Sequence, residues 1–158
     1  MYGPSKYEIE SAAEKILSSV AERFGIQFAE VNTGGGCMAL EARLESGHWI
    51  VATDDGLCDL RSRLVYEAVA RADGCDFPQG WSIGIYRNYD DDGIDTWMNG
   101  GSDNDAIVDV VDYDAFGDAL PDMVGRALTA LAQRRAAIDE YSVEGGARIR
   151  VRRPGFYY

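Results

Sequence analysis

The chain has 158 residues, 46% of them hydrophobic, and its 27 acidic and 15 basic side chains leave a net charge of −12. That length suits one domain with a core of its own, and that hydrophobic fraction excludes wholesale disorder. A surplus of acid this large disfavours binding to nucleic acid or anionic membranes and favours a basic partner. No apolar run reaches the length of a membrane span, and "MYGPSKYEIE" lacks the basic start and apolar segment of a secretory signal. Cys37, Cys58 and Cys75 make an odd count, which suits free thiols in a reducing cytoplasm.

The first element is a helix over about residues 5–24. Ser5 and Glu8 form a capping box, Ile9, Ala13, Ile16, Val20 and Phe24 share one stripe, and Gly25 suits a left-handed stop. "IQFAEVN" reads as a strand, and the glycines of Thr33–Gly36 permit a sharp turn or bulge after it. "CMALEARLESGHWIVATDD" then reads as a hairpin turning at Ser46-Gly47. That turn sets Leu44 opposite Trp49, Ala42 opposite Val51 and Leu40 opposite Thr53 on one largely apolar face. Glu45 with His48, and Arg43 with Ile50, fall on the other.

Asp59 is an N-cap for a helix over about residues 59–72, with Leu60, Leu64, Ala68 and Ala72 as its stripe and Gly74 as its stop. "WSIGIYRNY" and "IDTWM" flank an acidic tip as a second hairpin, with Ile85 facing Met98, and "AIVDVVDY" is a further strand. Pro121 opens a last helix over about residues 121–138, where Val124, Leu128 and Leu131 line up. Arg134 and Arg135 near its end complement the helix dipole. The whole is α+β: a largely antiparallel sheet built from hairpins (about 27–54 and 81–112) packed against three helices. This domain takes in residues 1–146, and residues 147–158 form a basic, aromatic strand or arm.

The acids are unevenly placed. Between Asn88 and Gly125 there are eleven aspartates and no base: Asp90, Asp91, Asp92, Asp95, Asp103, Asp105, Asp109, Asp112, Asp114, Asp118 and Asp122. The stretch "RNYDDDGID" starts like a calcium loop, with Asn88, Asp90 and Asp92 at alternate positions and Gly93 at the sixth. Ile94 then comes one place early, and Asn99 replaces the closing glutamate. Asp and Gly at residues 90–93 suit a hairpin tip. The later acids suggest an acidic face for a basic site on a partner. Duplex DNA carries about one charge per 1.7 Å, so a carboxylate stripe can stand in for it. Asp109 and Asp112 straddle the strand alternation, so the acids do not all share one face.

No catalytic signature stands out, and neither a cofactor nor a metal site is expected. In the hairpin register above, Cys37 lies about 26 Å from His48, at ~3.3 Å per residue, which rules out a nucleophile–base dyad. The same distance, and the lack of a C-x-x-C element, disfavour zinc. The "GGGC" run matches neither a phosphate loop nor a dinucleotide fingerprint. The tail alternates Arg148, Arg150 and Arg152 with Ile149 and Val151, then adds Arg153, Phe156, Tyr157 and Tyr158. It can dock on a neighbouring subunit or on the acidic face of its own chain.

The runs "NTGGGCMALEARLESGHWIVATDDG" and "WSIGIYRNYDDDG" resemble stretches of small uncharacterised proteins of actinobacterial phages. The resemblance implies a phage protein acting in a host cytoplasm, directed at a host protein, and carries no catalytic motif. The leading expectation is a non-enzymatic acidic binding protein that occupies a basic, nucleic-acid-binding site on its partner. The alternative is a homo-oligomeric or virion-associated assembly component held by the arginine and aromatic tail. A small enzyme of unknown class is the third.

Overall fold

The computed structural model describes residues 3–54, 56, 58–74, 80–86 and 106–145, the last helix beyond 134 by its backbone alone. Helix α1 spans Lys6–Phe24, and Ser5 caps it by accepting from the Glu8 backbone N–H. Its buried stripe is Ile9, Ala13, Ile16 and Val20, and Gly25 ends it in the left-handed region. A three-to-four-residue apolar spacing thus produces a helix with one inward face.

Strands β1 (Ala29–Gly34), β2 (Cys37–Arg43), β3 (Trp49–Asp54), β4 (Trp81–Tyr86) and β5 (Ala106–Asp112) form one antiparallel sheet in the order β1-β2-β3-β4-β5. At the β1–β2 turn Gly34, Gly35 and Gly36 all take positive φ (124°, 62° and 85°), which explains a run of three glycines there. Helix α2 (Leu60–Asp73) links β3 to β4, and a 3-10 turn (Gly117–Ala119) leads from β5 into α3 (Leu120–Gly145). The expected α+β class is the observed one.

The core draws on one face of the sheet. Leu40, Ala42, Ile50, Ala52, Trp81, Ile83, Ile85 and Val108 meet the buried stripes of all three helices in a single cluster. Fully burying side chains such as Ile50, Ile83 and Ile85 contributes roughly 1.5–3 kcal/mol each.

Several details differ from these expectations. The β2–β3 hairpin pairs Ala42 with Ile50 and Arg43 with Trp49, one residue away from the expected register. Leu44 donates to the His48 carbonyl, so Glu45, Ser46 and Gly47 form a three-residue loop rather than a two-residue turn. The slip reverses the faces of β3: His48, Ile50, Ala52 and Asp54 point inward, while Trp49, Val51 and Thr53 point out. Next, Met98, the expected partner of Ile85, lies outside the described residues. Strand β4 lies between β3 and β5, and Ile85 pairs with Ile50 on one side and Val108 on the other. Lastly, α3 runs to Gly145, so Arg134 sits well inside the helix and is buried rather than near an exposed end.

Helix α2 buries Leu60 and Leu64 as expected, but the rest of its buried stripe is Arg63, Glu67 and Ala70, with Ala68 half-buried and Ala72 exposed. Arg63 explains this. Its fully buried guanidinium donates to Asp54 Oδ2 (3.2 Å), Glu67 Oε2 (2.8 Å), the Gly80 carbonyl (3.3 Å) and the Ala115 carbonyl (3.4 Å). It also lies 5.3 Å over the Trp81 ring. Glu67 in turn accepts from Trp81 Nε1 (3.0 Å) and from the Gly117 backbone N–H (2.8 Å). A Cβ at Gly117 would come within 2.9 Å of Leu64 Cδ2 and 3.3 Å of Ile16 Cδ1, so glycine lets that N–H approach α2 without displacing these side chains. Asp54 Oδ1 accepts from the Cys58 backbone N–H (2.7 Å). The clasp joins the end of β3, the middle of α2, the start of β4 and the approach to α3.

The start of α2 is held from two sides. Asp59 accepts from the Ser62 backbone N–H and hydroxyl, both at 2.9 Å, while Glu30 of β1 accepts from the Leu60 N–H at 3.1 Å. Arg61 bridges Glu10 of α1 and Glu30. The Ser62 backbone N–H above all holds the Asp59 carboxyl below the usual carboxylate range, against the opposing effect of burial.

Two outcomes are expected. Arg63→Ala leaves two buried carboxylates without their cation and lowers urea-unfolding stability by roughly 3–5 kcal/mol. Asp59→Ala removes a cap and lowers stability by about 1 kcal/mol at neutral pH. Because the folded pKa of Asp59 is depressed, its stabilisation is present above the unfolded value of about 3.9 and is lost as pH falls through the folded value. The stability gap between wild type and Asp59→Ala, measured from pH 7 downward, therefore closes in acid.

Candidate interaction surface

The face of the sheet opposite the core carries a different set of side chains. Across β3 and β4, Trp49 pairs with Tyr86, Val51 with Gly84 and Thr53 with Ser82. Across β4 and β5, Gly84 pairs with Asp109 and Ser82 with Val111. Since Ile50, Ile83, Ile85 and Val108 belong to the core, strand alternation sends all of these outward. Trp49 and Val111 are 37% and 38% exposed. The buried stripe of α1, Leu60 and Leu64 of α2, and Leu120, Val124 and Leu131 of α3 lie in the cluster on the other side, so no described helix covers this face.

The geometry around the two rings is specific. The Arg43 guanidinium lies 5.2 Å over the Trp49 ring, from the neighbouring strand. The Tyr86 ring folds over Gly84, where an added Cβ would come within 3.1 Å of its Cε2. Burial raises the Tyr86 phenol above its ordinary range, and the charge of Asp109 raises it further. Asp109 itself is exposed, and no described base forms an ion pair with it.

The other expected acidic residues are dispersed among the described ones. Asp112 is half-buried and accepts from the Asp114 backbone N–H (3.0 Å), holding the turn after β5. Asp118 pairs with Arg71 of α2 (3.2 Å), and Asp122 with Arg23 of α1 (2.9 Å), both on the helical side. These are exposed pairs, worth at most about 1 kcal/mol each. The structure thus sets Asp109 apart from Asp118 and Asp122. Asp90, Asp91, Asp92, Asp95, Asp103 and Asp105, with Asn88 of the calcium alternative, lie outside the described residues, as do Cys75 and residues 147–158.

Cys37 and His48 are separated as expected, although by a different register. Cys37 is at the start of β2, and its alternation places it on the outward face, whereas His48 is buried beside the opposite end of β2 with its Nδ1 2.7 Å from Ser46 Oγ. Burial and the neighbouring Asp54 and Asp59 raise the Cys58 thiol, which leaves it a poorer nucleophile than a free cysteine. Among the described residues no group of three or more His, Cys, Asp or Glu side chains could hold a metal ion. None of the described helices is long and apolar enough to cross a membrane.

The Trp49–Tyr86 pair was missed in the sequence because a two-residue turn turned Trp49 inward. The signal available was His48-Ile50-Ala52 on alternate positions, with Gly47 able to close a three-residue loop.

No protein-family model, curated protein or solved structure matches this chain.

Removing the charge in Asp109→Asn should lower the Tyr86 titration towards its ordinary value without reaching it, since burial remains. Tyrosine-selective carbon labelling and NMR titration would show this; an unmoved Tyr86 resonance would separate the two groups.

Proposed function

We propose that the chain is a non-enzymatic acidic binding protein that holds a basic protein partner against the open face of its sheet. The observation that carries the reading is a sheet with its core on one side and, on the other, exposed Trp49 and Val111 beside half-buried Val51 and Tyr86. Antiparallel sheets commonly leave one face to solvent, and that face is then usually polar. Here its centre is aromatic and aliphatic, the composition that recurs at the middle of protein interfaces.

The net charge of −12 sets the sign of the partner. It draws a basic surface towards the molecule and repels nucleic acid. The resemblance to actinobacterial phage proteins suggests a host protein as that partner, and a nucleic-acid-binding site as the kind of basic surface engaged. The dispersal of Asp109, Asp118 and Asp122 favours charge attraction at close range over a continuous imitation of a duplex.

Immobilised protein should capture its partner from nuclease-treated host lysate and release it with rising salt. Trp49→Ser should reduce that capture at least tenfold with an unchanged circular dichroism spectrum, while Glu14→Gln, an exposed charge change on α1, should not. Competition by duplex DNA would place the partner's nucleic-acid site in the contact. Equal capture by wild type and Trp49→Ser would overturn the assignment of this face.

A further inference from the structure

The two rings of the open face stand in different states of completion. Trp49 already has a guanidinium on it, supplied by Arg43 at 5.2 Å from the neighbouring strand. Tyr86, its register partner, presents a ring laid over Gly84 beside the exposed Asp109. An aromatic face next to a carboxylate is the complement of a guanidinium. The ring accepts the planar cation by stacking, and the carboxylate accepts its N–H groups. Arg43 shows within the same chain that this surface seats such a cation. No described base forms an ion pair with Asp109.

The dimensions of the face restrict what can lie on it. Five strands spaced about 4.8 Å apart, each six or seven residues long, give a surface of about 20 Å by 20 Å, or ~400 Å². A stable globular interface buries about 800 Å² on each partner. The open face alone is therefore too small to hold a second copy of this chain. It is large enough for an extended segment of about six residues at ~3.3 Å each.

On these grounds we infer that the open face binds an extended polypeptide segment bearing arginine, whose guanidinium stacks on Tyr86 and pairs with Asp109. An aliphatic side chain of the same segment rests on Val51 and Val111. This rests on the open face being the binding surface, and it adds the class of ligand. Lysine would serve less well, because an ammonium is a compact point charge without a planar face to stack.

The test uses the full chain, isotope-labelled, titrated with a capped hexapeptide of alternating Arg and Val and, in parallel, with the corresponding Lys and Gln hexapeptides. The expected result is perturbation of Tyr86, Asp109 and Val111 resonances by the Arg peptide, with at least fivefold weaker binding of the Lys peptide and no saturable binding of the Gln peptide. Asp109→Asn and Tyr86→Ala should each weaken the Arg peptide fivefold or more, whereas Tyr86→Phe, which keeps the ring, and Glu14→Gln should bind it as wild type does.

Equal weakening by Asp109→Asn and Glu14→Gln would mean attraction to net charge alone and would overturn the site. Equal binding of the Arg and Gln peptides at these resonances would overturn the arginine assignment while leaving the open face a binding surface. Perturbation confined to other parts of the molecule, or no binding of any peptide, would overturn the inference. The Trp49→Ser capture experiment judges the face itself separately.

Discussion

A guanidinium placed in the interior of this protein dictates much of what surrounds it. Removing a charge from water costs several kcal/mol, and the loss is offset only where every donor has an acceptor in good geometry. Arg63 meets that demand with groups from separate parts of the chain: Asp54 at the end of β3, Glu67 one turn along α2, Gly80 ahead of β4, and Ala115 after β5. Glu67 extends the arrangement to Trp81 and Gly117. The segments that connect sheet and helices are thereby brought to one point, and none can shift without stranding a buried charge. Replacement of such a cluster by apolar side chains is often tolerated, so its value here is best read as fixing how α2 lies on the sheet.

That orientation has a consequence for the opposite side. With α1, α2 and α3 all gathered on the clasp side, one face of β2, β3, β4 and β5 is committed to the core. Strand alternation then leaves the other face to whatever the remaining residues supply. In β3 and β4 these are Trp49, Val51 and Tyr86 beside Thr53, Ser82 and Gly84, an apolar centre with a polar margin. Asp109 adds a charge at its edge. The functional reading depends on this asymmetry, and several charged groups on the helical side are already engaged in pairs such as Arg71–Asp118 and Arg23–Asp122.

Charge acts on two scales. The net −12 governs approach at distances beyond direct contact and weakens with salt over about 8–10 Å. The ring and carboxylate of Tyr86 and Asp109 act only at contact, where desolvation makes them selective for a planar cation. A protein can therefore attract many basic partners and still retain few of them.

The local elements were legible in the amino-acid order. Ser5 and Gly25 around α1, Asp59 and Gly74 around α2, the glycine turn before Cys37 and the α+β class all follow from interactions within a few residues of one another. Periodicity also identified most of the core stripe of α1. Matters of partner and side were settled by long-range packing. The hairpin register turned on one residue in the Glu45–Gly47 loop, a small local difference that reverses every side chain of β3. The burial of Arg63 and Glu67 could not be read from hydropathy, because a charged side chain is buried only when distant acceptors converge on it, and those acceptors lie up to 52 residues away. The face turned away from the described helices was hidden for the same reason: which side of a strand joins the core is settled by where the helices pack.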